Sequence, residues 1–174
     1  MSAAWRYCPL CAAELITLTD GNDAGRDACP TGHFVHYVNP ATTTFAFIER
    51  DGGEWLALRR AHEPCAGEWD LPGGFIEAGE RPDESLLREI AEETRLDVEI
   101  VGVIGAYSGQ YGADGKHTVD IGYHCRVTGG ELVISGEKSE AGWFSLEAFP
   151  EPAFEGERRA LAVLRAGRRP ARSA

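Results

Sequence analysis

The residues with the most evident chemical capacity are Glu89, Glu92 and Glu93, in the run Arg88-Glu89-Ile90-Ala91-Glu92-Glu93-Thr94. At about 100° per residue of helix, carboxylates at these positions fall within about 100° of arc and share one face. Like charges spaced at i, i+3 and i+4 repel by some tenths of a kcal/mol per pair, so something cationic should offset them. Hard divalent ions, Mg²⁺ or Mn²⁺, take carboxylate oxygens and commonly bridge protein to substrate phosphates. The spacing therefore points to metal-assisted phosphate chemistry, with a solvated acidic helix face as the plain alternative. Arg88 stands beside the acids and can make a bidentate bond to Glu80, a structural role.

Positioning these acids requires a helix, and Pro82 to Thr94 reads as one. Pro82 suits its first turn, and Asp83 and Glu84 suit the positive end of its dipole. Leu87, Ile90, Ala91 and Thr94 fall on the other side and are expected to pack on a sheet. Thr43 to Glu49 and Glu54 to Leu58 read as strands joined by a turn at Asp51-Gly52-Gly53. AHEPCAGEWDLPGG reads as a loop. Val98 to Ala106, Val119 to Val127 and Glu131 to Val133 read as strands, Trp143-Phe144 as part of another, and Phe154 to Leu164 as a second amphipathic helix. A boundary near Asn39-Pro40 separates a module over 1–39 from a domain over 40–165. Residues 166–174, rich in arginine and poor in apolar side chains, are expected to form a flexible basic tail.

From Gly74 the chain runs GFIEAGERPDESLLREIAEETRL, with Gly74, Glu80, Arg88, Glu89, Ile90, Glu92, Glu93 and Leu96 at fixed spacing. This segment resembles the Nudix box. The preceding Trp-Asp-Leu-Pro-Gly-Gly, the strand order and the later Trp-Phe extend the resemblance across roughly Thr42 to Leu164. It implies an α/β/α sandwich with a mixed sheet, and metal held by Glu89, Glu92, Glu93 and the Gly73 carbonyl. It also implies an Arg88–Glu80 pair bracing the loop against the helix. Nudix enzymes often draw a further carboxylate from the loop before the last strand, which makes Glu137 the first candidate for general base or added ligand, with Glu140 next. Arg59 and Arg60 end a strand facing the same region, where one could hold a phosphate. One departure stands out: the family's glycine near the end of the box is Arg95 here. Glycine supplies a left-handed cap, so altered capping is expected and lost catalysis is not.

Cys8-Pro-Leu-Cys11 and Cys29-Pro-Thr-Gly-His33 have nearly the spacing of a zinc ribbon, with Gly32 where a fourth cysteine belongs. This resembles the zinc-ribbon-bearing Nudix proteins. A closed structural site from Cys8, Cys11, Cys29 and His33, with His36 nearby, and a metal-free remnant are both open readings. Cys65 and Cys125 lack ligand spacing and read as buried small hydrophobes.

The 174 residues suit one domain with a small appended module. A net charge of -11 disfavours a nucleic-acid polymer as partner, since that binding rests on Lys and Arg. No apolar run of membrane-spanning length and no signal-peptide pattern is present, so a cytoplasmic protein without membrane association is expected. The expected partner is a small nucleotide, and a homodimer stays open. The resemblance implies a pyrophosphohydrolase that cuts the diphosphate linkage of an ADP-ribose-like compound, a nucleotide sugar or a nucleoside triphosphate. The region AYSGQYGADGKHTVDIGYH lacks the Ser-Gln-Pro-Trp-Pro-Phe-Pro stretch of NADH pyrophosphatases, which disfavours reduced NAD. A nucleotide-binding or regulatory module of the same fold without turnover is the alternative.

Overall fold

The computed structural model describes residues 5–113 and 115–167, which form two compact units divided between Pro40 and Ala41. Positions 168–174 of the expected basic tail lie outside the described residues. No helix among the described residues is long and apolar enough to cross a membrane.

The first unit has one antiparallel pair, β1 (Ile16–Thr17) with β2 (Asp27–Ala28), and its buried apolar side chains are Cys8, Ala28 and Cys29. The second unit comprises β3 (Ala41–Arg50), β4 (Glu54–Arg60), β5 (Trp69–Asp70), β6 (Gly73–Phe75), α1 (Pro82–Thr94), β7 (Leu96–Tyr111), β8 (Lys116–Gly130), β9 (Lys138–Ser145) and α2 (Glu155–Arg165). Its sheet runs β5-β4-β3-β8-β7, with β6 also paired to β3 and β9 to β4. The β3–β8 pair is parallel and the other pairings are antiparallel, so the sheet is mixed.

Alternation along β3 and β4 divides the core into two layers. Ala46, Ile48, Leu56 and Leu58 pack with Leu86 and Ile90 of α1, while Phe45, Phe47, Trp55 and Ala57 pack with Ala160 and Leu161 of α2. Both faces of these central strands are covered, which is why they read as nearly continuous apolar runs. The result is the expected α/β/α arrangement.

Four expectations are corrected, the first being that the stretch 61–74 is not all loop: it holds β5 and the start of β6, which are ordered by pairing with β4 and β3. The face of α1 that packs inward carries Ser85, Leu86, Ile90, Glu93 and Thr94, whereas Leu87 and Ala91 are exposed. The helix is rotated relative to the sequence reading because Leu86 and Ile90 together fill the layer over β3 and β4, and that rotation turns Glu93 inward. Strands β7 and β8 extend beyond the anticipated segments, pairing from Leu96↔Gly130 to Tyr111↔Lys116. Their glycine-rich ends look like loop locally, and the backbone ladder between them supplies the order. Glu131 to Val133 is not a strand. Instead, the N–H groups of Val133 and Ser135 donate to the carbonyls of Thr94 and Glu93 at 2.9 and 3.0 Å, satisfying carbonyls the helix leaves free at its end.

Arg95 itself takes the left-handed cap conformation, φ 57° and ψ 18°, and its N–H donates to the Ala91 carbonyl at 3.0 Å. A β-carbon in that region costs about 1 kcal/mol relative to glycine. Arg95→Gly should therefore raise the melting temperature by up to about 4 °C and change turnover by less than about threefold. A lower melting temperature in a thermal scan would contradict this account of the cap.

Candidate active site

The three acids of α1 are graded by burial. Their side chains are 60%, 17% and 6% exposed for Glu92, Glu89 and Glu93. All three line a cleft of about 570 Å³, with Gly73 and Gly74 on one wall and Glu137 from the segment before β9 on another. Gly73 is dictated by contact, because a β-carbon there would run into the Thr44 carbonyl, and one on Gly74 would displace the Glu89 carboxylate. The backbone of β6 can thus lie directly against the acids. The Gly73 N–H donates to Oε2 of Glu93 at 3.1 Å.

Behind Glu93 lies a buried charge network. Lys138 Nζ is 2.9 Å from Glu93 Oε1 and 3.0 Å from Asp70 Oδ2, and Arg60 Nη1 is 2.7 Å from the same Asp70 oxygen. Burial raises the Asp70 carboxyl, but its two cations outweigh this and hold it below the usual range. Glu93 has only a share of Lys138 and the Gly73 amide, so burial prevails and pushes it up to about 7. Glu157, buried against Asp70, is raised well above the ordinary value, first by burial and then by Asp70. Lys138 stays charged: burial lowers it, and Asp70 and Glu93 more than compensate.

Arg88 makes the anticipated bidentate pair with Glu80, Nε to Oε1 at 2.8 Å and Nη2 to Oε2 at 3.0 Å. That pairing pulls the Glu80 carboxyl down to about 2. The guanidinium also reaches the acidic face, 2.8 Å from Glu89 Oε1 and 3.4 Å from Glu92 Oε2. Burial raises the Glu89 carboxyl, Arg88 offsets part of this, and the nearby Glu92 and Glu137 add to it. Four carboxylates, three from α1 and one from the segment before β9, therefore line the cleft, with Glu92 and Glu137 near enough to Glu89 to raise it. An all-oxygen donor set of this kind matches a hard divalent ion.

Other expected residues are dispersed. Arg59 pairs with Glu140 at 3.1 Å and lies over the Trp69 ring, away from the cleft lining. Arg60 lines the cleft, yet Nη1 is engaged by Asp70 and Nε donates to the Pro64 carbonyl at 2.6 Å. Of the two, Arg60 is the one that lines the cleft, with part of its guanidinium engaged. Asp70, Lys138 and Glu157 escaped the sequence reading, although Asp70 interrupts the apolar run Trp69-Asp70-Leu71, a local sign of a buried charge. Phe75, Tyr111 and Phe154 were missed as well; they pack in sequence, with ring centroids 5.2 and 5.7 Å apart, and form an aromatic wall of the cleft.

In the N-terminal unit the ligand atoms of Cys8, Cys11, Cys29 and His33 lie within 4.8 Å of one another. The Thr31 hydroxyl is 3.0 Å from both Cys29 Sγ and His33 Nδ1, which leaves the His33 Nε2 facing the thiols at 3.4 and 3.5 Å. The Thr31 contact is the largest cause that lowers Cys29 to about 6, favouring the thiolate a metal requires. Of the remaining cysteines, Cys125 is buried as expected, whereas Cys65 is only half-buried.

The raised carboxyl of Glu93 gives a signed pH dependence. Its folded value of about 7 exceeds the ordinary 4.5, so folding favours the protonated form. That contribution is complete below about pH 4.5 and is lost as the pH rises through about 7. In chelator, the wild-type melting temperature should fall relative to that of Glu93→Gln across this interval, by roughly 5 °C. Parallel melting profiles would contradict it.

Comparison with known proteins gives a consistent picture. The Nudix domain profile matches residues 39–164. An ADP-ribose pyrophosphatase from Methanocaldococcus jannaschii is 36% identical over 122 residues, which cover 70% of this chain and 72% of that protein. An NAD-capped RNA hydrolase from Pseudomonas fluorescens is 30% identical over 168 residues, 94% of this chain and 57% of its own length. The chain thus spans little more than half of that longer relative. A crystal structure of a Nudix hydrolase from Nitrosomonas europaea superposes with a TM-score of 0.74 at 26% identity, covering 97% of both chains. With the profile spanning most of the chain and the box residues gathered at one cleft, this protein belongs to the Nudix family.

Proposed function

We propose that this protein is a Mg²⁺- or Mn²⁺-dependent pyrophosphohydrolase that cleaves the diphosphate linkage of a small nucleoside diphosphate derivative, with ADP-ribose as the first candidate. The observation that carries the reading is that Glu89, Glu92, Glu93 and Glu137 line one cleft beside the side-chain-free backbone of Gly73 and Gly74. Glu89, Glu92, Glu93 and the Gly73 carbonyl would hold the ions. When bound, these ions offset the charge of the diphosphate and make a coordinated water more acidic.

The chain's own groups supply the rest. Glu80 holds Arg88, and Arg88 keeps the acidic face ordered through Glu89. Water attacks one phosphorus, the bond from that phosphorus to the bridging oxygen breaks, and the departing phosphate leaves with the bridging oxygen. One carboxylate takes the water's proton, and Glu137 is the first choice because it is exposed to the cleft from a separate element. The wall of Phe75, Tyr111 and Phe154 offers ring faces and edges against which a nucleobase can pack. The archaeal relative's name supports ADP-ribose, and the retained acids favour turnover over a silent binding module.

For the N-terminal unit we read Cys8, Cys11, Cys29 and His33 as a closed structural zinc site that stabilises a unit with little apolar core of its own. The alignment with the longer bacterial relative, at 94% of this chain, extends into this unit.

Two measurements test these readings. Purified protein should release product from ADP-ribose only with Mg²⁺ or Mn²⁺, in a screen that includes nucleotide sugars, nucleoside triphosphates and NAD-capped RNA. Glu93→Gln should lower turnover at saturating Mg²⁺ by at least about a hundredfold with an unchanged circular dichroism spectrum. Near-normal turnover in that variant would remove Glu93 from the machinery, and no product from any diphosphate would favour the binding module. Separately, protein purified without added zinc should contain about one equivalent, lost in Cys29→Ser. Metal-free protein whose melting temperature is unchanged by chelator would indicate a decayed ribbon.

A further inference from the structure

Lys138 opens β9, and its side chain is 3% exposed. The pattern of the sequence gives it no role, and the reaction outlined above does not use it. Its ammonium occupies the point on which two carboxylates from different segments converge: Glu93 Oε1 at 2.9 Å and Asp70 Oδ2 at 3.0 Å. The other oxygen of Glu93 accepts the Gly73 N–H, so both oxygens are anchored on the inner side. Each carboxylate oxygen has two acceptor positions, which leaves Glu93 lone pairs directed elsewhere.

Two carboxylates that face one enclosed point require a positive charge between them, since a buried carboxylate left uncompensated is costly. A lysine there does what a mobile ion would do, with one charge instead of two and on a tether that cannot leave. An apolar side chain of similar length would fill the volume and leave Glu93 with no cation on its inner side.

We infer that Lys138 is a built-in cation that fixes Glu93 in one orientation and keeps divalent ions out of the inner space between Asp70 and Glu93. The ions of the proposed reaction are then confined to the cleft side, toward Glu89, Glu92 and Glu137. Lys138 is a positioning residue acting through Glu93, and the inference rests on the reading of Glu93 as a metal-holding acid.

The test counts bound Mn²⁺ in the full chain by electron paramagnetic resonance and measures its affinity by calorimetry, comparing wild type with Lys138→Ala, which opens the space, and Lys138→Arg. Lys138→Ala should bind one further equivalent, or bind Mn²⁺ at least about tenfold tighter, while Lys138→Arg, which keeps the charge, should match the wild type. A folded Lys138→Ala that neither gains an equivalent nor binds more tightly, or Lys138→Arg behaving like Lys138→Ala, overturns the inference while leaving the metal reading intact. A wild type that binds no Mn²⁺ overturns both. Should Lys138→Ala fail to fold, the wild type decides: with ¹⁵N-labelled lysine, a solvent-protected ammonium signal should persist at saturating Mg²⁺, and its loss overturns the inference.

Discussion

The structure turns on one costly placement, the carboxylate of Glu93 buried where three chain segments meet. The C-terminal turn of α1 carries it, and its partners come from the strand that holds Gly73 and from the first residue of β9, Lys138, which also pairs with Asp70. A buried carboxylate without partners costs several kcal/mol, so the three segments are held together by the requirement to satisfy it. Its compensation is incomplete, since one ammonium is shared between Asp70 and Glu93. The remaining tension raises Glu93 and leaves a carboxylate that gains from a cation on its open side.

The segment after β8 brings these parts together. Gly130 sits against the Arg95 carbonyl so closely that a β-carbon would collide with it, and the N–H groups of Val133 and Ser135 bind the last carbonyls of α1. The helix end is thereby capped by distant chain as well as by Arg95. Anchored in this way, the next few residues place Glu137 in the cleft and Lys138 behind it. A left-handed arginine at the cap is tolerated because the carbonyls it would otherwise leave exposed have partners from this segment.

Charge is divided between the two sides of Glu93. Behind it, Asp70, Lys138 and Arg60 are paired at 2.7 to 3.0 Å in buried surroundings, with Glu157 favouring its neutral form beside them. In front, Glu89 and Glu92 have Arg88 as their close cation, and Arg88 is already shared with Glu80. A molecule with a net charge of -11 thus sets several of its acids along the cleft, where a phosphorylated substrate and its ions would meet. The N-terminal unit follows a different rule, gathering three thiols and an imidazole where apolar burial is scarce.

The sequence by itself determined the helix from Pro82 to Thr94, the central strands and the acidic positions on α1, because these depend on local periodicity and fixed spacing. The pairing of Arg88 with Glu80 was legible too, since loop and helix are adjacent in the chain. It could not determine how far α1 is rotated about its axis. Leu86 and Ile90 fit the layer over β3 and β4 better than Leu87 and Ala91 do, and that fit separates a buried Glu93 from an exposed Glu92. The extent of β7 and β8 likewise came from their mutual backbone ladder, where glycine-rich sequence gives no periodic signal. Lys138 and Asp70 lie 68 residues apart, and neither carries a local mark of its partner. Only tertiary structure decided that they meet, because a buried charge is specified by what surrounds it and not by what precedes it in the chain.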